Sequence, residues 1–447
     1  MDQLAQRSRV PRSLQLYARA LELIPGGTQL ISRRPARFAC GVSPVYAARA
    51  KGARFWDVDG HEYIDWTSGI GSILLGYCDP VVDEAVREQM ALGTIYSVNH
   101  ELELELAEEL CRTFPCAEMV RYARCGGEAC AMAVRIARGV TGRDRVLVCG
   151  YHGWHDWYLA ANLEGEENLA AHLFSGIEPI GVPRALRGTA LPFAYGDAGA
   201  LEALLQSYRG EIAAVIMEPL RSRLPPPDYL PEVAAMVRDA GALLIFDEVS
   251  TGLRYGLRGA QGLVEVVPDM AVLAKSLSNG YAMAAVVGKR ACMEPAARMF
   301  ISSTYWSETL GLRAALTTLR EARRRNLPAQ LAAVGHELMQ RLNRAATAAD
   351  CPVRCEGVPF HPHLLFDVPA EQQRLLSTLF IQEMAKRGCH GYTSFYINGA
   401  QQQPELEQTE TAAGEVFHLL AGALRQGSLQ RLLECELREE PFRRLVT

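Results

Sequence analysis

Four lysines occur in the 447 residues, Lys51, Lys275, Lys289 and Lys386, and arginine supplies nearly all the other positive charge. A lysine kept in such a background points to a need for its amine. Lys275 closes the apolar run Met270-Ala-Val-Leu-Ala274 and opens the turn Ser276-Leu-Ser-Asn-Gly280. Upstream, the apolar run Ala242-Leu-Leu-Ile-Phe246 ends in Asp247-Glu248. An amine at one strand end and a carboxylate at a neighbouring one are the two groups that pyridoxal phosphate requires. The amine forms a Schiff base with the aldehyde, and the carboxylate keeps the pyridine nitrogen protonated. An aspartate after an unbroken apolar run needs a partner, and a buried lysine is rare, with a pKa that desolvation lowers. The bland alternatives are an Asp247 that caps the next segment and a Lys275 that snorkels to solvent.

Two further segments fit the same chemistry. Gly126-Gly127 precedes the helical pattern Ala129–Arg138; glycines at a helix N-terminus expose N–H groups where the dipole is positive, a cradle for phosphate. Tyr151 follows the apolar run Val146–Cys149 and could stack on a flat ring, with Gly150 and Gly153 allowing close backbone approach. Trp154 and Trp157 read equally as core or as ring-stacking residues. His152 and His155 lack the accompanying ligands of a metal site, and no metal is expected.

These residues must be positioned by a sheet. The runs at 146–149, 213–217, 243–246, 270–273 and 283–287 are continuous and aliphatic, which suits strands covered on both faces. Alternation with helical segments predicts an α/β domain around a mainly parallel sheet. Ligands of such sheets sit at the carboxyl ends of strands. The first stretch carries an amphipathic helix, Ser13–Ile24, then strands at 44–50, 54–58 and 61–65 with an Asp59-Gly60 hairpin turn. We therefore expect a large domain over 79–308 and a small α+β domain built from both ends, 1–78 and 309–447. The C-terminal piece, with a strand at 364–367, should pack with the N-terminal strands.

Composition narrows the function classes. Half the residues are apolar, and the formal charge of −5 is small for this length, so nothing suggests nucleic-acid binding. No apolar stretch is long enough to span a bilayer. The first seven residues lack the apolar region of a signal peptide, which points to the cytoplasm and to twelve reduced cysteines, mostly core hydrophobes. The spacing Gly69-Ile-Gly71-Ser-Ile-Leu-Leu-Gly76 is wrong for a dinucleotide fingerprint.

Taken in order, the motifs resemble those of the class III (subgroup II) pyridoxal-phosphate aminotransferases of fold type I, and within them the glutamate-1-semialdehyde aminomutase-like branch. The resemblance runs through Pro25-Gly-Gly27, Gly52–Gly60 with Tyr63-Ile-Asp65, Gly126-Gly-Glu-Ala129, Ala137–Asp144 and Tyr151-His-Gly153. It continues through Glu218-Pro219, Asp247–Arg254, Lys275–Gly280 and Ser302-Ser-Thr-Tyr-Trp306. It implies that Lys275 holds the cofactor and Asp247 pairs with the pyridine nitrogen. Val249 and Tyr151 would cover the two ring faces, Gly126 and Gly127 would hold the phosphate, Glu218 would line the site, and His152 would support Asp247 from behind. It further implies a homodimer in which Thr304 reaches the phosphate of the neighbouring subunit, and Trp306 belongs to the same motif beside the substrate. The segment Gly27–Arg34 resembles that of aminotransferases in aminoglycoside antibiotic biosynthesis, of the gentamicin and neomycin type. Gln29, Arg33 and Arg34 are then candidates for binding a hydroxyl-rich or carboxylate substrate, and a solvated basic turn is the alternative.

Two departures stand out. Cys125-Gly126-Gly127 lacks the hydroxyl usual in the family's phosphate loop, and no residue matches the C-terminal arginine that binds an α-carboxylate in many members. The expected activity is transfer of an amino group from an amino-acid donor to an aldehyde or ketone, such as an oxidised aminosugar. The alternatives are an intramolecular aminomutase or epimerase, and a non-catalytic protein that retains the cofactor.

Overall fold

In the computed structural model, residues 8–165, 167–173, 176–220 and 222–438 are described. The segment read above for a leader, residues 1–7, lies outside them. The chain separates into two compact units, Pro80–Pro328 and a second formed by residues up to Asp79 together with Ala329 onward. The boundary expected at 308/309 differs. Helix Thr309–Arg324 belongs to the first unit, where its apolar stripe (Leu312, Leu316, Leu319, all buried) packs against helices Pro80–Leu92 and Glu101–Thr113. Helical pattern alone does not say which domain a helix buries its stripe against.

The terminal unit carries the strands β1 (Ala47–Lys51), β2 (Arg54–Asp57) and β3 (Glu62–Asp65), an antiparallel meander. In the other unit follow β4 (Met119–Ala123), β5 (Arg145–Cys149), β6 (Ala190–Pro192), β7 (Ile212–Met217), β8 (Leu243–Asp247), β9 (Met270–Leu273) and β10 (Ala284–Gly288). Back in the terminal unit, β11 (Val353–Glu356) pairs with β12 (His363–Phe366), and β13 (Cys389–His390) adds to β3 in parallel. The two chain ends thus share one four-stranded sheet, in the order β1-β2-β3-β13.

The larger sheet has the order β4-β10-β9-β8-β7-β5-β6. Only β10 runs against its neighbours; β9, β8, β7, β5 and β6 are parallel. Every residue of β7, β9 and β10 is buried, which explains the continuous aliphatic runs. The carboxyl ends of β5, β8 and β9 therefore point the same way, and they lead into Tyr151, Asp247 and Lys275. No helix among the described residues is long and apolar enough to cross a membrane. All twelve cysteines are free thiols, six of them buried, four partly buried, and Cys78 and Cys125 exposed.

Candidate active site

Strand β8 ends with Asp247, 4 % exposed. One carboxylate oxygen, Oδ1, accepts the Val249 N–H at 3.0 Å. The other, Oδ2, lies 2.8 Å from His152 Nδ1 and 3.4 Å from Cys130 Sγ. His152 Nε2 is buried and has no partner, and its ring stacks beside Trp157, with centroids 6.4 Å apart. A carboxylate accepts, so the network assigns Nδ1–H as the donor to Asp247. The Cys130 thiol is pushed well above its ordinary pKa, first by burial and then by the Asp247 charge. It is therefore protonated and donates as well. Cys130, His152 and Asp247 could together enclose a metal ion, but the hydrogen bond between Nδ1 and Oδ2 already occupies two of the three ligand atoms.

One strand over, Lys275 follows β9 with φ of 48°. A left-handed conformation is uncommon for a residue with a Cβ and costs about 1–3 kcal/mol; here it turns the lysine out of the strand direction. Nζ lies 2.7 Å from Ser250 Oγ, on the turn that follows Asp247.

The expected phosphate cradle is the N-terminus of the sixteen-residue helix Gly126–Thr141, whose N-cap Cys125 makes no side-chain cap. Its first N–H groups are thus left for a ligand. A Cβ on Gly126 would come within 2.9 Å of both Val249 methyls, and one on Gly127 within 3.3 Å of Gly153 Cα. The two glycine loops approach each other closely, and side chains would fill the space. On the Tyr151 side, Glu218 is 8 % exposed and its Oε2 accepts the Tyr151 N–H at 3.3 Å. Trp157 is core and Trp154 is largely exposed. Cys125 is exposed as a residue, and partial desolvation of its sulfur, with the nearby Glu128 charge, raises its pKa.

Of the remaining expected residues, Thr304 and Trp306 sit on a turn tied to the cradle, where Arg124 donates to the Tyr305 carbonyl, and Gln29, Arg33 and Arg34 belong to the terminal unit. Thr304 is exposed, on the short turn Thr304–Ser307. Trp306 Nε1 donates to Glu128 Oε1 at 2.9 Å. Within the terminal unit, Gln29 and Arg33 line a cavity of about 520 Å³ walled by Phe38, Tyr46, Phe55 and Tyr77, with Asp65 at one side. Arg34 is not among its lining residues; its guanidinium folds back over Gly26. Ser68, Gly69, Ile70 and Gly71 all have positive φ, 46° to 78°, a single left-handed turn that sets Gly69 and Ile70 into the cavity wall. Such a conformation is an outlier for β-branched isoleucine. Sequence reading missed Cys130, which passes for an apolar helix residue, Ser250, which passes for a turn residue, and Ile70.

These features fit pyridoxal phosphate: an uncapped helix N-terminus for the phosphate, a buried, donor-braced carboxylate for the ring nitrogen, and an amine one strand away. The parallel sheet with these groups at its strand ends defines a type I transaminase fold. An omega-transaminase from Sphaerobacter thermophilus shares it, with a TM-score of 0.81 at 26 % identity over 92 % of this chain and 99 % of that one. The aminotransferase class-III family model matches residues 38–361, and the chain belongs to that pyridoxal-phosphate-dependent family. It is 34 % identical to a 3-aminobutyryl-CoA aminotransferase of Cloacimonas acidaminovorans, over 81 % of this chain and 85 % of the relative. It is 33 % identical to a glutamate-1-semialdehyde 2,1-aminomutase of Roseiflexus castenholzii, over 93 % and 99 %.

Proposed function

We propose that this aminotransferase moves an amino group from an amino-acid donor to the carbonyl of an oxidised aminosugar, using Lys275 and Asp247. The observation that carries the catalytic part is the braced carboxylate of Asp247 at the end of β8, with the Lys275 amine at the end of β9. When bound, pyridoxal phosphate supplies an electron sink for negative charge on the carbon that bears the amine. Lys275 Nζ would hold the group, and its amine would serve to take and return a proton. Ser250 Oγ keeps Nζ oriented. Asp247 would pair with the ring nitrogen, and His152 orients Asp247 by donating from Nδ1. Gly126 and Gly127 bind the phosphate through backbone N–H groups. Val249 and Tyr151 cover the ring, and Glu218 closes the wall behind Tyr151.

For the acceptor, the cavity lined by Gln29 and Arg33 supports the reading. Aromatic walls offer stacking surfaces for a sugar ring, and Gln29 and Arg33 offer partners for hydroxyl groups. For assembly, we place a second copy against the face that carries Phe300 and Tyr305, 86 % and 66 % exposed. Thr304 lies between them and would serve the partner's phosphate site.

The test is the visible spectrum of the purified, cofactor-loaded protein. L-glutamate or L-glutamine should bleach the band, and an oxidised aminosugar should restore it. Lys275→Ala should lack the pH-dependent band of the native protein. The aminomutase reading is favoured by the aminomutase relative, 99 % of whose length is covered. Turnover of one substrate with no external donor, in a protein that no amino acid bleaches, would establish it and overturn transamination.

A further inference from the structure

Helix Gly126–Thr141 contributes to the site twice. Its first turn is the uncapped N-terminus, and one turn further on Cys130, 1 % exposed, reaches the Asp247 carboxylate. Three donors from three separate elements then surround that carboxylate: the Val249 N–H from the turn after β8, the His152 Nδ1–H from the loop after β5, and the Cys130 S–H from the helix. Backbone and imidazole would already brace an aspartate. A third donor on the oxygen that His152 touches does something more: it draws charge off that oxygen and restricts the carboxylate's rotation. The side-chain type also matters. A serine hydroxyl inside a helix tends to bond back to the carbonyl four residues earlier, and an alanine offers no donor. A thiol is a weak donor with little pull toward the backbone, and its longer reach keeps it on the carboxylate.

We propose that Cys130 is a positioning residue for the reaction. Its S–H sets the orientation and charge density of the Asp247 carboxylate and ties that carboxylate to the helix that holds the phosphate. The inference rests on the reading of Asp247 as partner of the ring nitrogen. Through Asp247, Cys130 therefore influences how firmly that nitrogen keeps its proton, although the sulfur touches no reacting atom.

The experiment compares Cys130→Ala, Cys130→Ser and Asp247→Asn with the native holoenzyme. The readouts are the pH titration of the cofactor's visible band, kcat and KM of the donor half-reaction, and thermal stability. Removing one hydrogen bond to a charged group corresponds to about a tenfold effect. Cys130→Ala should lower kcat by about that factor with the donor KM unchanged, and should move the titration midpoint. Cys130→Ser, which keeps a donor, should recover part of both. In the cofactor-free protein, the infrared difference between native and Cys130→Ala should contain an S–H stretch shifted to lower frequency than that of an unbonded thiol. The proposal is overturned if both cysteine variants titrate at the native midpoint with native kcat, since the sulfur then only fills space. It is equally overturned if both lose kcat in step with thermal stability while the midpoint stays fixed. Asp247→Asn separates this failure from that of the underlying reading. If Asp247→Asn keeps native turnover, the role of Asp247 is wrong; if it is inactive while the cysteine variants behave natively, only the role of Cys130 is.

Discussion

At the scale of single residues, the site is defined by groups held where they would not rest unaided. Lys275 adopts a left-handed conformation and is steadied by the Ser250 hydroxyl. Ser250→Ala removes that support without touching the fold, so we expect the donor half-reaction to slow by about threefold to tenfold at unchanged KM, as for loss of one ordinary hydrogen bond. Stopped-flow bleaching of the visible band measures it, and a native rate would show that the lysine needs no help. Beside Asp247, the fully buried Glu248 accepts hydrogen bonds from Ala260 N, from Gln261 N and Nε2, and from Thr251 Oγ1. Burial outweighs these donors and pushes its pKa up to about 7 from an ordinary 4.5. A carboxyl raised on folding stabilises the native state fully below its unfolded pKa and loses that contribution as pH rises through the folded value. Stability should therefore decline between about pH 5 and about pH 8 by the linkage of this one group. Glu248→Gln should be less stable throughout, because an amide cannot accept all four donors, but its slope over that window should be flatter. Denaturant titrations at several pH values test this, and equal slopes would assign the decline to other groups.

At the scale of elements, helix Gly126–Thr141 and the strand ends of β5, β8 and β9 do the positioning. Gly126 is at the first helical position, where a methyl group improves helix propensity yet would press on Val249 from 2.9 Å. Gly126→Ala should therefore leave the cofactor-free protein as stable as the native one. The same change should weaken cofactor binding by about tenfold or more, the scale of an overpacked contact. Titrating apoprotein with pyridoxal phosphate, followed by absorbance, gives the constant; unchanged affinity would mean the cradle has slack. The elements that were legible in the sequence are those with one environment along their length. Strands β7, β8 and β9 lie inside the sheet and read as aliphatic runs ending in Met217, Asp247 and Leu273. Strands β4 and β6 escaped because they are the sheet's two edges. Met119–Ala123 carries a half-buried arginine, and Ala190–Pro192 is three residues long and ends in proline, both ordinary at edges. The antiparallel run of β10 was not legible either, since a fully buried strand looks the same in both directions.

At the scale of the whole molecule, the proposed assembly rests on exposed apolar side chains. In the unit Pro80–Pro328, Leu92, Val98, Leu104, Phe300 and Tyr305 are each more than three-fifths exposed. Where such side chains adjoin one another they mark interaction surfaces. Aromatic anchors such as Phe300 and Tyr305 carry much of the energy of such contacts. Thr304, next to Tyr305, is exposed, and on the proposed assembly the surface that binds a second copy would also deliver a phosphate ligand to it. Assembly and cofactor affinity should then be linked, because a ligand that needs both chains stabilises the dimer by mass action. On the proposed assembly, Phe300→Asp with Val98→Asp should yield a monomer in light scattering where the native protein is a dimer, and weaken pyridoxal phosphate binding at the same time. Thr304→Ala should weaken cofactor binding while the protein stays dimeric. If the double variant is monomeric but binds the cofactor as tightly as the native protein, each chain holds a complete site and Thr304 has no role across the interface.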